Sequence, residues 1–114
     1  MTFVTVSINR AQLTLLSQFL VTLFPGCTIH QSCDPLRAIQ RVSSQEVDAV
    51  FADVDTIYNM MDMLRIKRTN TKIWLLCKQD AILPEEMADC YGVLYCPITE
   101  QKIRNALQRL PQGI

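Results

Sequence analysis

The stretch Val47-Asp48-Ala49-Val50-Phe51-Ala52-Asp53-Val54 constrains this chain more than any other part of it. After Asp48 it is apolar at every position until Asp53. A strand with one wet face would alternate polar and apolar residues, whereas a short unbroken apolar run is what a central parallel strand needs when both faces are covered. Parallel strands need long crossover connections, and these are usually helices. Asp53 then falls at the carboxyl end of the strand, the edge of an open α/β sheet where ligands and chemistry gather.

The flanking sequence supplies those helices and the other strands. Residues 2–8 are rich in β-branched and apolar side chains and read as a first strand. From Arg10 onward Leu13, Leu16, Leu20 and Leu23 recur at three- and four-residue spacing with Phe19 beside them, which predicts a helix ended by Pro25-Gly26. Residues 27–33 form a short second strand. Asp34-Pro35 then provides an N-cap and a proline at the first helical position, with Leu36, Ile39 and Val42 as the buried stripe of a second helix.

Beyond Asp53, the spacing of Ile57, Met60, Met61 and Leu64 predicts another helix, and residues 72–77 another strand. Pro84-Glu85-Glu86 opens a further helix, residues 92–96 form a fifth strand, and Thr99 caps a last helix striped by Ile103, Ala106, Leu107 and Leu110. Five strand–helix units in series predict one α/β domain over residues 1–114. Alternation of this kind implies right-handed crossovers and a doubly wound parallel five-stranded sheet, (βα)5.

Composition agrees with a folded domain and narrows its partners. Apolar residues make up 49% of the 114 positions, enough to fill one core. Eleven basic residues balance eleven acidic ones, so no global field draws the chain to nucleic acid or to anionic lipid. No run approaches the roughly 18 apolar residues that span a bilayer, and no leader pattern opens the chain, so a soluble cytoplasmic protein is expected. Five cysteines, an odd number with no CxxC pair, are expected to be reduced thiols. His30, the single histidine, has no catalytic partner at recognisable spacing and is expected to be structural.

Four stretches together resemble the receiver domain of bacterial response regulators, and the likeness spans essentially the whole chain. The third strand and its trailing loop, through Asp53, Val54 and Asp55, are similar to the receiver strand that ends in the phosphoaccepting aspartate, which implies that role for Asp53. Gly92-Val93-Leu94-Tyr95-Cys96-Pro97-Ile98-Thr99 is similar to the family's fifth strand, with Pro97 implied as a cis-proline. Leu23-Phe24-Pro25-Gly26 and Asp34-Pro35-Leu36-Arg37-Ala38-Ile39 look like receiver segments, especially those of regulators carrying a LytTR-type DNA-binding domain. The receiver resemblance implies the flavodoxin-like strand order 2-1-3-4-5.

The departures from the family are as informative as the matches. Where receivers carry a magnesium-binding acidic pair this chain has Ser7 and Ile8, and Cys77 stands where a hydroxyl senses the phosphoryl group. Val93 replaces the rotating aromatic and Cys96 the lysine. The resemblance therefore implies a degenerate receiver, a pseudo-receiver that is not an enzyme and has no cofactor, magnesium being poorly served by one carboxylate with Asp55 as its only helper.

Its expected partners are proteins: a histidine kinase, another regulator, or a second copy docked through the fourth helix, fifth strand and last helix, where Met87, Tyr91, Tyr95, Ile103 and Arg104 fall. Two other readings remain open. Asp53 would be a residual phosphoacceptor, or Cys77 and Cys96 would end neighbouring strands facing Asp53 and form a redox or soft-metal site. The chain stops soon after the last helix, which leaves room for an output domain.

Overall fold

The computed structural model describes residues 1–57, 71–78 and 92–108. Its elements are β1 (Thr2–Val6), α1 (Arg10–Leu23), β2 (Thr28–Ser32), α2 (Pro35–Ser44), β3 (Ala49–Asp53), β4 (Lys72–Cys77), β5 (Gly92–Tyr95) and α3 (Glu100–Leu107). The strands form one five-stranded sheet in the order β2-β1-β3-β4-β5. Every neighbouring pair is parallel. This is the doubly wound sheet that the strand–helix alternation predicts, in the flavodoxin-like order that the receiver resemblance implies. The helices expected around Met60 and after Pro84 lie outside the described residues.

Side-chain alternation along each strand divides the core in two. On one face Phe3, Phe51, Trp74, Leu76 and Leu94 pack against Leu16 and Leu20 of α1 and Ile103 and Leu107 of α3. On the other, Val4, Val6, Val50, Ala52, Ile73 and Leu75 pack with Ala38 and Val42 of α2 and with Ile57. Phe51 stacks on Trp74 across the β3–β4 register with ring centroids 5.6 Å apart. Each side chain of this size removed from water contributes about 1.5–3 kcal/mol.

Local signals set the helix ends. The side chains of Asn9, Asp34 and Thr99 accept from the backbone N–H groups of Gln12, Leu36 and Lys102, which satisfies first-turn donors that no carbonyl can reach. After α1 the chain turns through Gly26 at φ +85°, a conformation that suits a residue without Cβ. Gly92 is fixed by a different constraint. A Cβ there would lie 2.9 Å from the indole Nε1 of Trp74, so the β4–β5 contact leaves no room for a side chain.

Four boundaries and one stripe differ from the sequence expectation. β1 ends at Val6, where Ser7 keeps one backbone bond to Ser32 and Ile8 turns to solvent with its N–H on Thr56. β2 is one residue shorter at each end. β5 ends at Tyr95, just before the cis peptide Cys96–Pro97. In α2 the buried pair is Ala38 and Val42, while Leu36, expected in the stripe, is 54% exposed because it faces outward in the first turn.

Candidate functional site

The site at the carboxyl end of the sheet grows out of the register. β1 and β3 are neighbours, with Val6 opposite Ala52, so the residues that follow, Ser7 and Asp53, emerge side by side. The Ser7 hydroxyl lies 3.0 Å from Asp53 Oδ2 and 3.0 Å from Gln12 Oε1, and it accepts the Asn9 N–H at 3.0 Å. One hydroxyl has one proton, so these two acceptors share it, and the carboxylate is the stronger of the two. The other carboxylate oxygen, Oδ1, accepts the Asp55 N–H at 3.0 Å.

Gln12 links this group to the fifth strand. Its Nε2 approaches Cys96 Sγ at 3.4 Å, which sets the amide so that Oε1 faces Ser7. Gln12 stands three residues after the Asn9 cap, the place from which a capping-box side chain normally reaches back to the cap N–H. Here Ser7 takes the Asn9 N–H, and Gln12 is released to bridge Ser7 and Cys96.

The cations lie outside this ring of bonds. Lys102 reaches back from α3 to donate to the carbonyls of Tyr95 and Pro97, at 2.7 and 2.8 Å. Lys78 sits 3.9 Å from Asp55 with both groups largely in solvent, a weak pair. Among the described residues no basic side chain pairs with Asp53. Burial, then the Asp53 charge, pushes the Cys96 thiol above its ordinary range, with Lys102 and the Gln12 hydrogen bond pulling the other way.

The structure brings some of the expected positions together and separates others. Ser7 is buried at Asp53. Ile8 is 67% exposed, and its N–H is taken by Thr56 Oγ1 at 3.0 Å. Val93 is half-buried opposite Leu75 on β5. Of the two thiols expected to face Asp53, Cys96 senses the Asp53 charge, and Cys77 is buried at the end of β4. Cys96 packs with the α1–α3 cluster. Cys96 N–H donates to the Cys77 carbonyl at 2.7 Å, and neither cysteine is in a disulfide among the described residues.

Magnesium fits this donor set poorly. It asks for an octahedral shell of hard oxygens. Among the described residues no group of three or more His, Cys, Asp or Glu side chains gathers here. Ser7 already spends its hydroxyl on Asp53, and Ile8 brings no donor.

The backbone is similar to those of several solved structures. The signal receiver domain of an HD domain-containing protein from Pseudomonas fluorescens superposes with a TM-score of 0.78 at 24% identity, over 96% of this chain and 92% of that one. The chain has the receiver fold. The same CheY-like fold appears in the chemotaxis response regulator CheY4 of Vibrio cholerae, with a TM-score of 0.75, 18% identity and coverage of 95% and 96%. A response regulator receiver domain from Methylobacillus flagellatus matches with a TM-score of 0.75 at 19% identity, again over 95% and 96% of the two chains. No protein-family model and no curated protein matches the sequence.

On the receiver surface the structure corrects one expected contact residue. Ile103 is fully buried in the core because it faces the sheet from the first turns of α3. Tyr95 is 45% exposed, and Arg104 is exposed and paired with Glu100 at 3.1 Å. Met87 and Tyr91 lie outside the described residues. No described helix is long and apolar enough to cross a membrane. Gln12, Thr56 and Lys102 were not legible as site residues in advance. Only the cap-plus-three spacing of Gln12 offered a signal, and it pointed to capping.

Proposed function

We propose that this chain is a degenerate receiver, a two-component-type signalling module that acts through protein contacts while Asp53 is held by hydrogen bonds. The observation that carries the reading is the Ser7 hydroxyl 3.0 Å from Asp53, where a receiver would place a metal-binding acid. Phosphoryl transfer to a carboxylate brings negative groups together and depends on positioned cations to neutralise the developing charge. Ser7 supplies a neutral donor, and Cys96, a thiol pushed toward its protonated form, supplies no positive charge.

The partners that suit such a module are a histidine kinase or another regulator, with self-association through the face formed by β5 and α3. Exposed Tyr95 and the Glu100–Arg104 pair lie on that face. Incubation with acetyl phosphate and magnesium, read by intact mass, tests the first part. The expected outcome is an unchanged mass; a phosphoryl adduct that disappears in Asp53→Ala would restore the phosphoacceptor reading. Light scattering from micromolar to millimolar protein tests the second, with a concentration-dependent dimer expected and a monomer throughout removing self-association.

A further inference from the structure

At the far edge of the sheet from β5, β2 has no strand on its outer side among the described residues. Thr28 N–H donates to the Met1 carbonyl at 2.9 Å and Ser7 N–H to the Ser32 carbonyl at 3.0 Å, so positions 28, 30 and 32 face β1. Parallel pairing alternates, which leaves the backbone N–H and C=O of Ile29 and Gln31 directed outward. Proteins usually guard such an edge with lysine, proline or a bulge. Thr-Ile-His-Gln-Ser contains neither residue and pairs with β1 over five positions without interruption.

Beside this edge is an open cleft of about 980 Å³, walled by β2 and by α2. Arg37 and Arg41 line it from successive turns of α2. Neither guanidinium has an ion pair among the described residues. The one carboxylate in the cleft, Asp34, is engaged in capping its own helix through Leu36 N–H. His30 and Gln45, 2.7 Å apart, join β2 to the end of α2.

We infer that this cleft receives an extended acidic segment of a partner protein, which adds to β2 as a further strand and places carboxylates against Arg37 and Arg41. The spacing supports alternate acids: residues four apart on a helix are separated by about 6 Å along its axis. Residues two apart on a strand are separated by about 6.6 Å and share a face. Backbone pairing to Ile29 and Gln31 supplies affinity that does not depend on sequence, and the two arginines select charge. This site is independent of Asp53 and of the receiver reading.

The test uses fluorescein-labelled peptides and the intact chain, read by anisotropy. The probes are a Thr-Glu repeat of eight residues, the matching Thr-Lys repeat, and the Thr-Glu repeat N-methylated at alternate amides. The acidic repeat is expected to bind and the basic one to fail, and both N-methylation and the R37E/R41E double variant are expected to weaken binding by about tenfold or more. The N-methylated arm uses the unaltered protein, so it stands even if the double variant misfolds. No binding of the acidic repeat, or undiminished binding after N-methylation or in a folded R37E/R41E, overturns the proposal. Full displacement by inorganic pyrophosphate with N-methylation silent would instead assign a small-anion site.

Discussion

The two faces of the sheet and its carboxyl-end rim are built on the same five strands, yet they obey different constraints. On the faces every position is set by volume: Phe51 is enclosed by Phe3 and Trp74, and nothing smaller would fill its place. At the rim, side chains are set by hydrogen-bond geometry, Ser7 bonding Asp53 while Gln12 bridges Ser7 and the Cys96 thiol. The comparison teaches that volume and directed hydrogen bonds can govern adjoining parts of one sheet, the first its faces and the second its carboxyl-end rim.

Phe51→Ala puts the greatest strain on that contrast. It leaves a cavity between the stacked rings and is expected to cost about 3–5 kcal/mol in urea unfolding. A loss below about 1 kcal/mol would mean that the face is not volume-limited.

At the rim the expected effect is smaller. Ser7→Ala removes the donor to Asp53 and the acceptor of the Asn9 N–H, and is expected to cost about 1–2 kcal/mol while leaving far-ultraviolet dichroism unchanged. Collapse of the fold in this variant would erase the distinction between face and rim.

The finest test is electrostatic. Cys96 has its pKa raised by burial first and the Asp53 charge second, so the protonated thiol is the favoured form. Its contribution to stability is fully present below the ordinary thiol range and is lost as pH rises through the raised value. Alkylation by iodoacetamide at mildly alkaline pH should therefore be slower at Cys96 than at exposed Cys33, and Asp53→Asn should accelerate it, since less opposing charge yields more thiolate. An unchanged rate in Asp53→Asn would show that the thiol and the carboxylate do not sense one another.

The scaffold was legible in the sequence because it rests on periodicity. The apolar run to Asp53 marked the central strand, the leucines of α1 marked its buried side, and Asp34-Pro35 marked the start of α2. Leu36 was misplaced because a first-turn residue can carry the stripe's chemistry yet point to solvent. The rim was legible only in part. Asp53 could be located from its strand end and Ser7 placed beside it through the receiver likeness, but the part played by Gln12 depends on which of two donors its amide meets, and that is a matter of rotamer. The two cysteines were expected together because both end strands. The register sets Cys77 opposite Tyr95, one residue before Cys96, and sequence spacing does not show where a strand stops.

Trp74 is the single tryptophan of the chain, and it lies flat against Phe51 with its indole nitrogen over the bare backbone of Gly92. The protein thereby contains its own optical gauge, sited where the last strand joins the sheet. Emission from this one ring reports the closure of the β4–β5 seam, so a partner that pries at that border would announce itself as a colour shift without any attached dye.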